Sequence, residues 1–253
     1  MLTIDLTSQV INEAIRQQVA VMVVYHPPIF SGWKRMLLSD PKQDYVMRAI
    51  AAGISIYSPH TSLDSCVNGS MDLPPSAPPF SFGSTSDGLL FPLVVNDWLA
   101  SLLCTEKERE SIAPLKPAAN PPAGQESAGF GRLVAFKQAV PFDSLVGKLK
   151  QQLGLKLVRT AKVKEEIKTV AICAGSGGSL LNPVKADLYL TGEFGHHDLL
   201  LANAKGTSVI LLEHSNSERG YLKAVLQPKL QEMLGNEAKV IVSADDKEPI
   251  TIV

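Results

Sequence analysis

Residues 19–30 read VAVMVVYHPPIF, and this stretch decides the fold class. Its continuous, valine-rich apolar run ends at Tyr25 and is typical of a strand buried on both faces of a parallel sheet. His26 follows, and the two prolines after it prevent further strand pairing because they lack backbone N–H groups. Residues 53–64, GISIYSPHTSLD, repeat the pattern and place His60 after the next strand. The sequence therefore predicts buried parallel strands that end at histidines.

Predicted helices alternate with these strands along the chain. Residues 8–18 and 41–52 have helical spacing of apolar side chains, and Thr7 or Ser8 is the expected N-cap of the first helix. In the second half, an amphipathic helix over 142–153 stands between two strand-like segments. The alternation predicts an α/β protein with largely parallel strand pairing.

Two proline-containing stretches interrupt this pattern. Residues 66–94 hold many Pro, Ser and Gly residues and are predicted to be an irregular insertion. Residues 105–128 are polar and rich in Pro and Ala, which is typical of a linker. We therefore expect an N-terminal α/β lobe over 1–104 and a related C-terminal α/β lobe over 129–253, both with mostly parallel sheets.

Composition excludes several classes of protein. With 253 residues, 45% of them hydrophobic, the chain is not of the disordered class. Its 24 basic and 25 acidic residues give a net charge of −1, so neither nucleic acid nor a membrane surface is an expected partner. Three scattered cysteines argue against a disulfide framework or a cysteine zinc site.

The N-terminus lacks the basic region of a secretory signal, which favours the cytoplasm, with the nucleus or mitochondrion as alternatives.

Side chains with metal-binding or acid–base chemistry follow the predicted strands. All five histidines and three acidic residues do so: His26, His60, His196, His197, His214, Asp64, Glu193 and Glu218. Because ligands bind beyond the carboxyl ends of parallel strands, we expect these groups to meet at one edge. Imidazole and carboxylate together bind zinc, iron or manganese. The alternative is that strand–loop junctions are simply polar.

Two local motifs each leave two interpretations open. The spacing His214-x-x-x-Glu218 places both side chains on one face of a helix, as a shared metal would require. The overlapping Ser215-x-x-Glu218 is also a capping box, in which Glu218 would only bond backbone N–H groups. Residues 175–179, GSGGS, could bind an anion through backbone N–H groups or form a tight turn with close packing.

Six ordered motifs carry a family resemblance: YHPPIF (25–30), SPHTSLD (58–64), VNDWLA (95–100), AGSGGS (174–179), TGEFGHHD (191–198) and EHSNSERGYL (213–222). Together they resemble the Nif-three-like family, whose members are also labelled GTP cyclohydrolase I type 2 homologues or YbgI-like dinuclear metal-binding proteins. The resemblance covers nearly the whole chain outside 66–94 and 105–128.

This resemblance implies two related α/β lobes with a two-metal site in the cleft between them. The implied metal ligands are His26, Asp64, His214 and Glu218. Tyr25 stands where the family's first histidine would be, a form similar to the eukaryotic branch. Because a phenol with a pKa of ~10 is a poor ligand near neutral pH, we expect the metal position nearer Tyr25 to be the weaker one.

The resemblance also implies a function. Up to two divalent ions per subunit, whether zinc, iron or manganese, would serve a metal-dependent hydrolase of a nucleotide-like or phosphorylated small molecule. Glu193, His197 and His60 would be its catalytic groups, orienting ligands or transferring protons. For His197 the alternative is a surface helix position facing solvent.

Partners and chain length follow from the same resemblance. Family members are similar in assembling as ring-shaped hexamers, so we expect a homo-oligomer. The alternative function is a non-catalytic protein-interaction factor linked to transcriptional regulation, because the family name refers to binding a co-regulator.

Family members also usually carry a further helix and strand before the segment that matches Met1, so the chain is expected to be truncated at its N-terminus.

Overall fold

A computed structural model describes residues 1–65, 94–121 and 127–251. Nearly all of the predicted insertion at 66–94 lies outside these described residues. By contacts, the chain divides into two compact units. The first joins Met1–Thr61 to Glu218–Val253, and the second is Ser62–Ser217.

Helices and strands alternate through most of the described chain, as the sequence predicts. The strands are β1 (Leu2–Thr3), β2 (Val21–Val24), β3 (Ser55–Tyr57), β4 (Arg109–Ala113), β5 (Lys116–Pro117), β6 (Gly129–Phe130), β7 (Arg132–Pro141), β8 (Arg159–Ala161), β9 (Glu166–Ser176), β10 (Leu188–Glu193) and β11 (Ser208–Leu211). The helices are α1 (Ser8–Arg16), α2 (Pro41–Ala51), α3 (Ser62–Ser65), α4 (Val95–Leu103), α5 (Phe142–Leu153), α6 (Gly178–Leu181), α7 (His196–Ala204), α8 (Asn216–Tyr221) and α9 (Gln227–Leu234). Within the described ranges, none of these helices has the length and apolar character needed to cross a membrane.

The first unit is built on the parallel sheet β1-β2-β3. Helix α1 begins where predicted, because the Thr7 side chain accepts a hydrogen bond from the N–H of Val10 (3.3 Å). The apolar face of α1, including Val10 and Ile11, packs with Met22 and Val24 of β2 in one buried cluster. This parallel pairing confirms the interpretation of the valine-rich run.

The C-terminal residues belong to the first unit because they bond directly to its first strand and helix. Val242 forms a parallel bridge with Leu2, and the Asp246 carboxylate accepts a hydrogen bond from the N–H of Ile4 (2.7 Å). Before this segment, a π-helical turn at Leu222–Leu226 separates α8 from α9. Pro228 explains the turn, since it cannot donate a hydrogen bond to the preceding turn.

The second unit contains a mixed sheet with the strand order β4-β7-β9-β10-β11-β8. Its centre, β9-β10-β11, is parallel, and β10 and β11 are almost entirely buried. The pairs β4–β7, β7–β9 and β11–β8 are antiparallel, so this sheet departs from the expected mostly parallel pairing. The α/β class is confirmed. An apolar run indicates that a strand is buried but does not indicate its direction, so the antiparallel pairs could not be predicted from such runs.

Part of the segment predicted as a linker forms strands. β4 pairs with β7 at the sheet edge, and β5 pairs with β6 in a short antiparallel ribbon. β4 exposes most of its side chains, as edge strands commonly do. Its polar composition therefore resembles that of a linker even though its backbone is paired.

Asp187, just before β10, is expected to make the second unit less stable in acid. Burial raises the pKa of this carboxyl, but bonds from the Lys164 ammonium and from the N–H groups of Lys168 (3.0 Å) and Thr169 (2.9 Å) outweigh burial and lower it. A lowered folded-state pKa stabilises the protein above the unfolded value of ~3.9, and this stabilisation is lost as pH falls through the folded value.

We expect Asp187→Asn to reduce the free energy of unfolding by about 2 kcal/mol at pH 7. The difference from the original chain should shrink as pH falls below ~4, where the aspartate of the unfolded chain becomes protonated, and toward the lowered folded value. Urea unfolding at pH 7 and pH 3 measures both quantities. A loss of the same size at both pH values would contradict the ionic explanation.

Candidate metal centre

His26 and Asp5 meet at the carboxyl-terminal edge of the parallel sheet in the first unit. The register pairs Thr3 with Val24, and the N–H of His26 then donates to the carbonyl of Ile4 (3.0 Å). The side chains are thereby brought together, with His26 Nδ1 2.9 Å from Asp5 Oδ1. A carboxylate on the second ring nitrogen is the usual support of a metal-binding histidine, because it fixes the tautomer and the ring orientation.

The other ring nitrogen of His26 faces Glu218. His26 Nε2 lies 3.4 Å from Oε2 of this buried carboxylate. Burial lowers the pKa of His26, but hydrogen bonds and charge from Asp5 and Glu218 outweigh burial and raise the pKa to about 10. Without a cation the ring is therefore protonated at neutral pH, and a metal ion must displace that proton. The same two carboxylates would stabilise a divalent cation.

A tight turn after β11 positions His214. Glu213 has a left-handed backbone (φ 68°), and its buried carboxylate accepts bonds of 2.6 and 2.8 Å from Arg159. The N–H of Ser217 then donates to the carbonyls of Glu213 (3.2 Å) and His214 (3.1 Å). The Ser217 hydroxyl also donates to the His214 carbonyl (2.6 Å). These bonds define where α8 begins.

The end of β10 supports the ring and backbone of His214. Glu193 Oε1 lies 3.1 Å from His214 Nδ1, so Glu193 orients this ring through a carboxylate, the arrangement that supports a ligand histidine. A Cβ at Gly192 would come within 2.9 Å of the His214 Cα and 2.7 Å of the Gly175 carbonyl oxygen. Glycine at position 192 therefore permits the close approach of β10 to the histidine.

Three of the predicted metal ligands form one compact group. His26, His214 and Glu218 each offer a ligand atom, and these atoms lie within 4.8 Å of one another. Two imidazoles and a carboxylate are a ligand set that zinc, iron and manganese all accept. The contact between Glu218 and His26 supports the metal-ligand interpretation of the His-x-x-x-Glu motif.

Asp64, the fourth predicted ligand, lies in α3 and is outside this group of described residues. Its carbonyl accepts a hydrogen bond from Nδ2 of Asn96 (3.3 Å), whose Oδ1 accepts one from the N–H of Ala174 (2.9 Å). The Asn96 of the VNDWLA motif therefore links α3 to the end of β9. Metal binding by Asp64 itself stays a prediction.

Aromatic rings surround His26. Tyr25 is fully buried and meets His26 edge-on, with ring centroids 5.1 Å apart. His60, held in a left-handed backbone conformation (φ 40°), lies 5.9 Å from Tyr25 and 5.6 Å from His26 by the same measure. His60 is thus close enough to act at the group, and its catalytic role stays a prediction.

His197 lies at the exposed start of α7, where its ring packs against His196 at 5.3 Å. Its position agrees with the solvent-facing alternative, and a catalytic role for it also stays a prediction.

The glycine-rich segment 175–179 packs closely against its surroundings. The N–H of Gly175 donates to the Ser217 hydroxyl (2.8 Å), and its carbonyl accepts from the Thr191 hydroxyl (3.1 Å). A Cβ at Gly177 would lie 2.5 Å from Thr191 Oγ1. These contacts support the interpretation as a tight turn with close backbone packing.

Sequence reasoning missed Asp5 and Ser217. A signal for Asp5 was present, since it follows the mostly apolar residues 1–4 just as His26 follows its strand. A strand of two residues is too short to show a periodicity, so the sequence pattern does not predict a strand end at this position. Ser217 acts through backbone bonds, for which no residue spacing is specific.

Asp5→Asn is expected to weaken metal binding by about 10- to 100-fold, the usual cost of losing a carboxylate behind a histidine ligand. Titration calorimetry with Zn²⁺ and Mn²⁺ measures the dissociation constant. Asp245→Asn is the matched control, because Asp245 has a similar exposure, pairs with Arg16 and is not a member of the ligand group. Equal affinity in the Asp5 variant and the control would show that Asp5 does not support His26.

Comparison with known proteins identifies the family of this chain. A family model described as Duf34/NIF3 (NGG1p interacting factor 3) matches residues 1–73 and 92–249. The Protein NIF3 homolog of Schizosaccharomyces pombe is 39% identical over 258 residues, which cover 99% of this chain and 83% of that protein. NGG1-interacting factor 3 of Saccharomyces cerevisiae is 33% identical over 262 residues, which cover 100% and 81%.

Among solved structures, a Bacillus cereus protein related to NIF3 superposes with a TM-score of 0.75 at 16% identity, covering 100% of this chain and 88% of that one. At this identity the likeness concerns the fold alone. The sequence matches are much closer and extend over nearly the whole chain, and they confirm the predicted family. This chain belongs to the Duf34/NIF3 (NGG1p interacting factor 3) family.

Proposed function

We propose that this protein binds a divalent metal ion through His26, His214 and Glu218 and hydrolyses a nucleotide-like or phosphorylated small molecule. The observation that carries the proposal is the convergence of the three ligand atoms within 4.8 Å. Asp5 and Glu193 support it, because each lies within hydrogen-bond distance of the Nδ1 atom of one of the two histidines. Chains of this kind, carboxylate to histidine to metal, are typical of metal sites in enzymes.

A metal ion bound there would activate water and stabilise negative charge on an oxyanion. The residues of the chain itself have distinct parts in this proposal. His26, His214 and Glu218 hold the ion, while Asp5 and Glu193 keep the histidine rings in the binding orientation. His60, whose ring centroid is 5.6 Å from that of His26, is the proposed proton-transfer group.

The proposal is tested by metal analysis followed by a hydrolase screen. Protein purified without chelator should contain metal, and its hydrolysis of phosphorylated small molecules should disappear on chelation and return when the ion is restored. His214→Ala should lose both metal and activity, whereas His196→Ala, an exposed histidine outside the group, should keep both. Metal retained by His214→Ala would contradict the proposed ligands.

A second metal ion would use Asp64, the fourth ligand that the family resemblance implies. There we expect Tyr25→His to raise the metal content toward two per subunit, because imidazole binds metals at neutral pH better than a phenol that must ionise at a cost of about 4 kcal/mol. Elemental analysis of the purified variant measures this content. If the content stays unchanged, Tyr25 only packs against His26 and His60.

The second candidate function is protein interaction. The yeast relative is named NGG1-interacting factor 3, which favours a protein partner for this chain as well. We propose that such binding would accompany a homo-oligomer, which light scattering on the purified protein tests. Binding to a partner that persists after chelation, together with no hydrolysis in the screen, would favour the interaction factor over the enzyme.

A further inference from the structure

We propose that Phe30 is a stacking surface that makes the site prefer phosphorylated ligands carrying a flat heteroaromatic ring, as nucleotides do. This inference rests on the proposed function and specifies its substrate class. Phe30 lies four residues after the ligand His26, and 82% of its surface is exposed. A phenylalanine left in water forgoes the stabilisation that burial would provide, so an exposed ring beside a candidate active site is informative.

The position of Phe30 is set by other rings. Its centroid lies 6.2 Å from that of His60 with an interplanar angle of 83°, and His60 lies 5.6 Å from His26. Phe30 is therefore tied to the metal-ligand group by two edge-on contacts. Its large exposed surface leaves room for a second ring to stack. Pro27 and Pro28 restrict the backbone between His26 and Phe30, which reduces the entropy lost when a ligand binds.

Charge on the same loop suits a phosphate. Lys34 and Arg35 are exposed, and residues 27–39 contain no acidic side chain. Both cations follow Phe30 within five residues, on the same exposed loop. A ligand that combines an aromatic ring with phosphate would therefore find complementary groups on one loop.

The same loop also exposes apolar side chains, Leu38 among them with 74% of its surface accessible. A protein partner would use such residues together with Phe30, whereas ring stacking requires Phe30 alone. The observations favour stacking because Phe30 contacts the ring of His60, which in turn lies next to His26. Leu38→Ala therefore separates the two occupants.

The test is equilibrium binding of guanosine monophosphate, adenosine monophosphate and ribose 5-phosphate to the metal-loaded protein. Loss of a base-stacking aromatic is expected to weaken binding of the two nucleotides by about 5- to 150-fold in Phe30→Ala. Ribose 5-phosphate, which lacks the base, should bind equally to the variant and the original chain. Phe30→Trp should restore nucleotide binding, and Leu38→Ala should leave it unchanged.

Several results would overturn the inference: unchanged nucleotide affinity in Phe30→Ala, an equal loss for ribose 5-phosphate, an equal loss in Leu38→Ala, or no preference of the original chain for nucleotides over the sugar phosphate. Failure to bind any of the three probes would also overturn it. Metal content distinguishes these outcomes from failure of the proposed function. If His214→Ala still loses its metal, the metal site stands and only the stacking surface is rejected.

Discussion

Glu218→Gln is expected to lower the affinity for Zn²⁺ or Mn²⁺ by on the order of 100-fold or more. Loss of a carboxylate behind a ligand already costs 10- to 100-fold, and Glu218 is proposed to bind the ion directly. The substitution keeps the size of the side chain but removes the negative charge that faces His26. Calorimetric titration of the purified variant measures the change.

This substitution also separates the two interpretations of the Ser215-x-x-Glu218 motif. Glutamine serves a capping box as well as glutamate does, so a residue that only caps α8 would tolerate the change. The metal-ligand interpretation predicts a folded protein that has lost its metal. The capping interpretation predicts normal metal content in Glu218→Gln and a loss of about 1 kcal/mol of stability in Glu218→Ala.

Glu232→Gln on α9 is the matched control, because Glu232 is an exposed glutamate and is not a member of the ligand group. It should bind metal as the original chain does. Equal metal affinity in the two glutamine variants would remove Glu218 from the proposed site.

The second large effect is expected at the buried ion pair between Asp97 and Arg132. The guanidinium donates to both Asp97 oxygens at 2.6 and 2.9 Å, and also to the carbonyls of Gly129 (2.8 Å) and Gly131 (2.7 Å). Only 4% of the Arg132 side chain is exposed. Asp97→Ala would leave this charge buried without a counter-ion, which typically costs about 3–5 kcal/mol.

Chemical denaturation measures the free energy of unfolding of Asp97→Ala. The control is Asp143→Ala, whose carboxylate pairs with Lys162 but has 79% of its side chain exposed. A surface pair of this kind contributes about 1 kcal/mol or less. If both variants lose the same small amount of unfolding free energy, removal of the Asp97 carboxylate does not leave an uncompensated buried charge on Arg132.

The metal content of Asp97→Ala tests whether Asp97 also affects the ligand group. Asp97 is the neighbour of Asn96, which links α3 to the end of β9. A variant that is less stable but keeps its metal would show that Asp97 of the VNDWLA motif supports the fold of the second unit without contributing to the ligand group.

Much of the candidate centre could be predicted from the sequence because chemistry-bearing residues follow strands. The run before His26 is buried and parallel, as its continuous apolar character indicates. His214 and Glu218 are separated by one helical turn, which is a local property that a residue spacing can report. Together with the family motifs, these features identified three members of the compact group.

Other features depend on contacts between residues distant in the chain. The expectation of mostly parallel sheets failed in the second unit, because strand direction is set by which strands become neighbours and an apolar run reports only burial. Strand β4 was not predicted, because an exposed edge strand has a polar composition that resembles a linker. The link between the C-terminal residues and β1 joins positions about 240 residues apart.

The sequence by itself determined the family and the α/β class, and it predicted the two histidines and the glutamate that form the candidate group. Tertiary structure alone decided how these side chains are oriented. Asp5 reaches His26 only because β1 pairs with β2 in the observed register, and Glu193 reaches His214 only because Gly192 allows β10 to approach the turn after β11. The physical reason is that residue type sets the ligand chemistry, whereas the ring nitrogen that remains available depends on which nitrogen donates a hydrogen bond to a carboxylate brought near by folding.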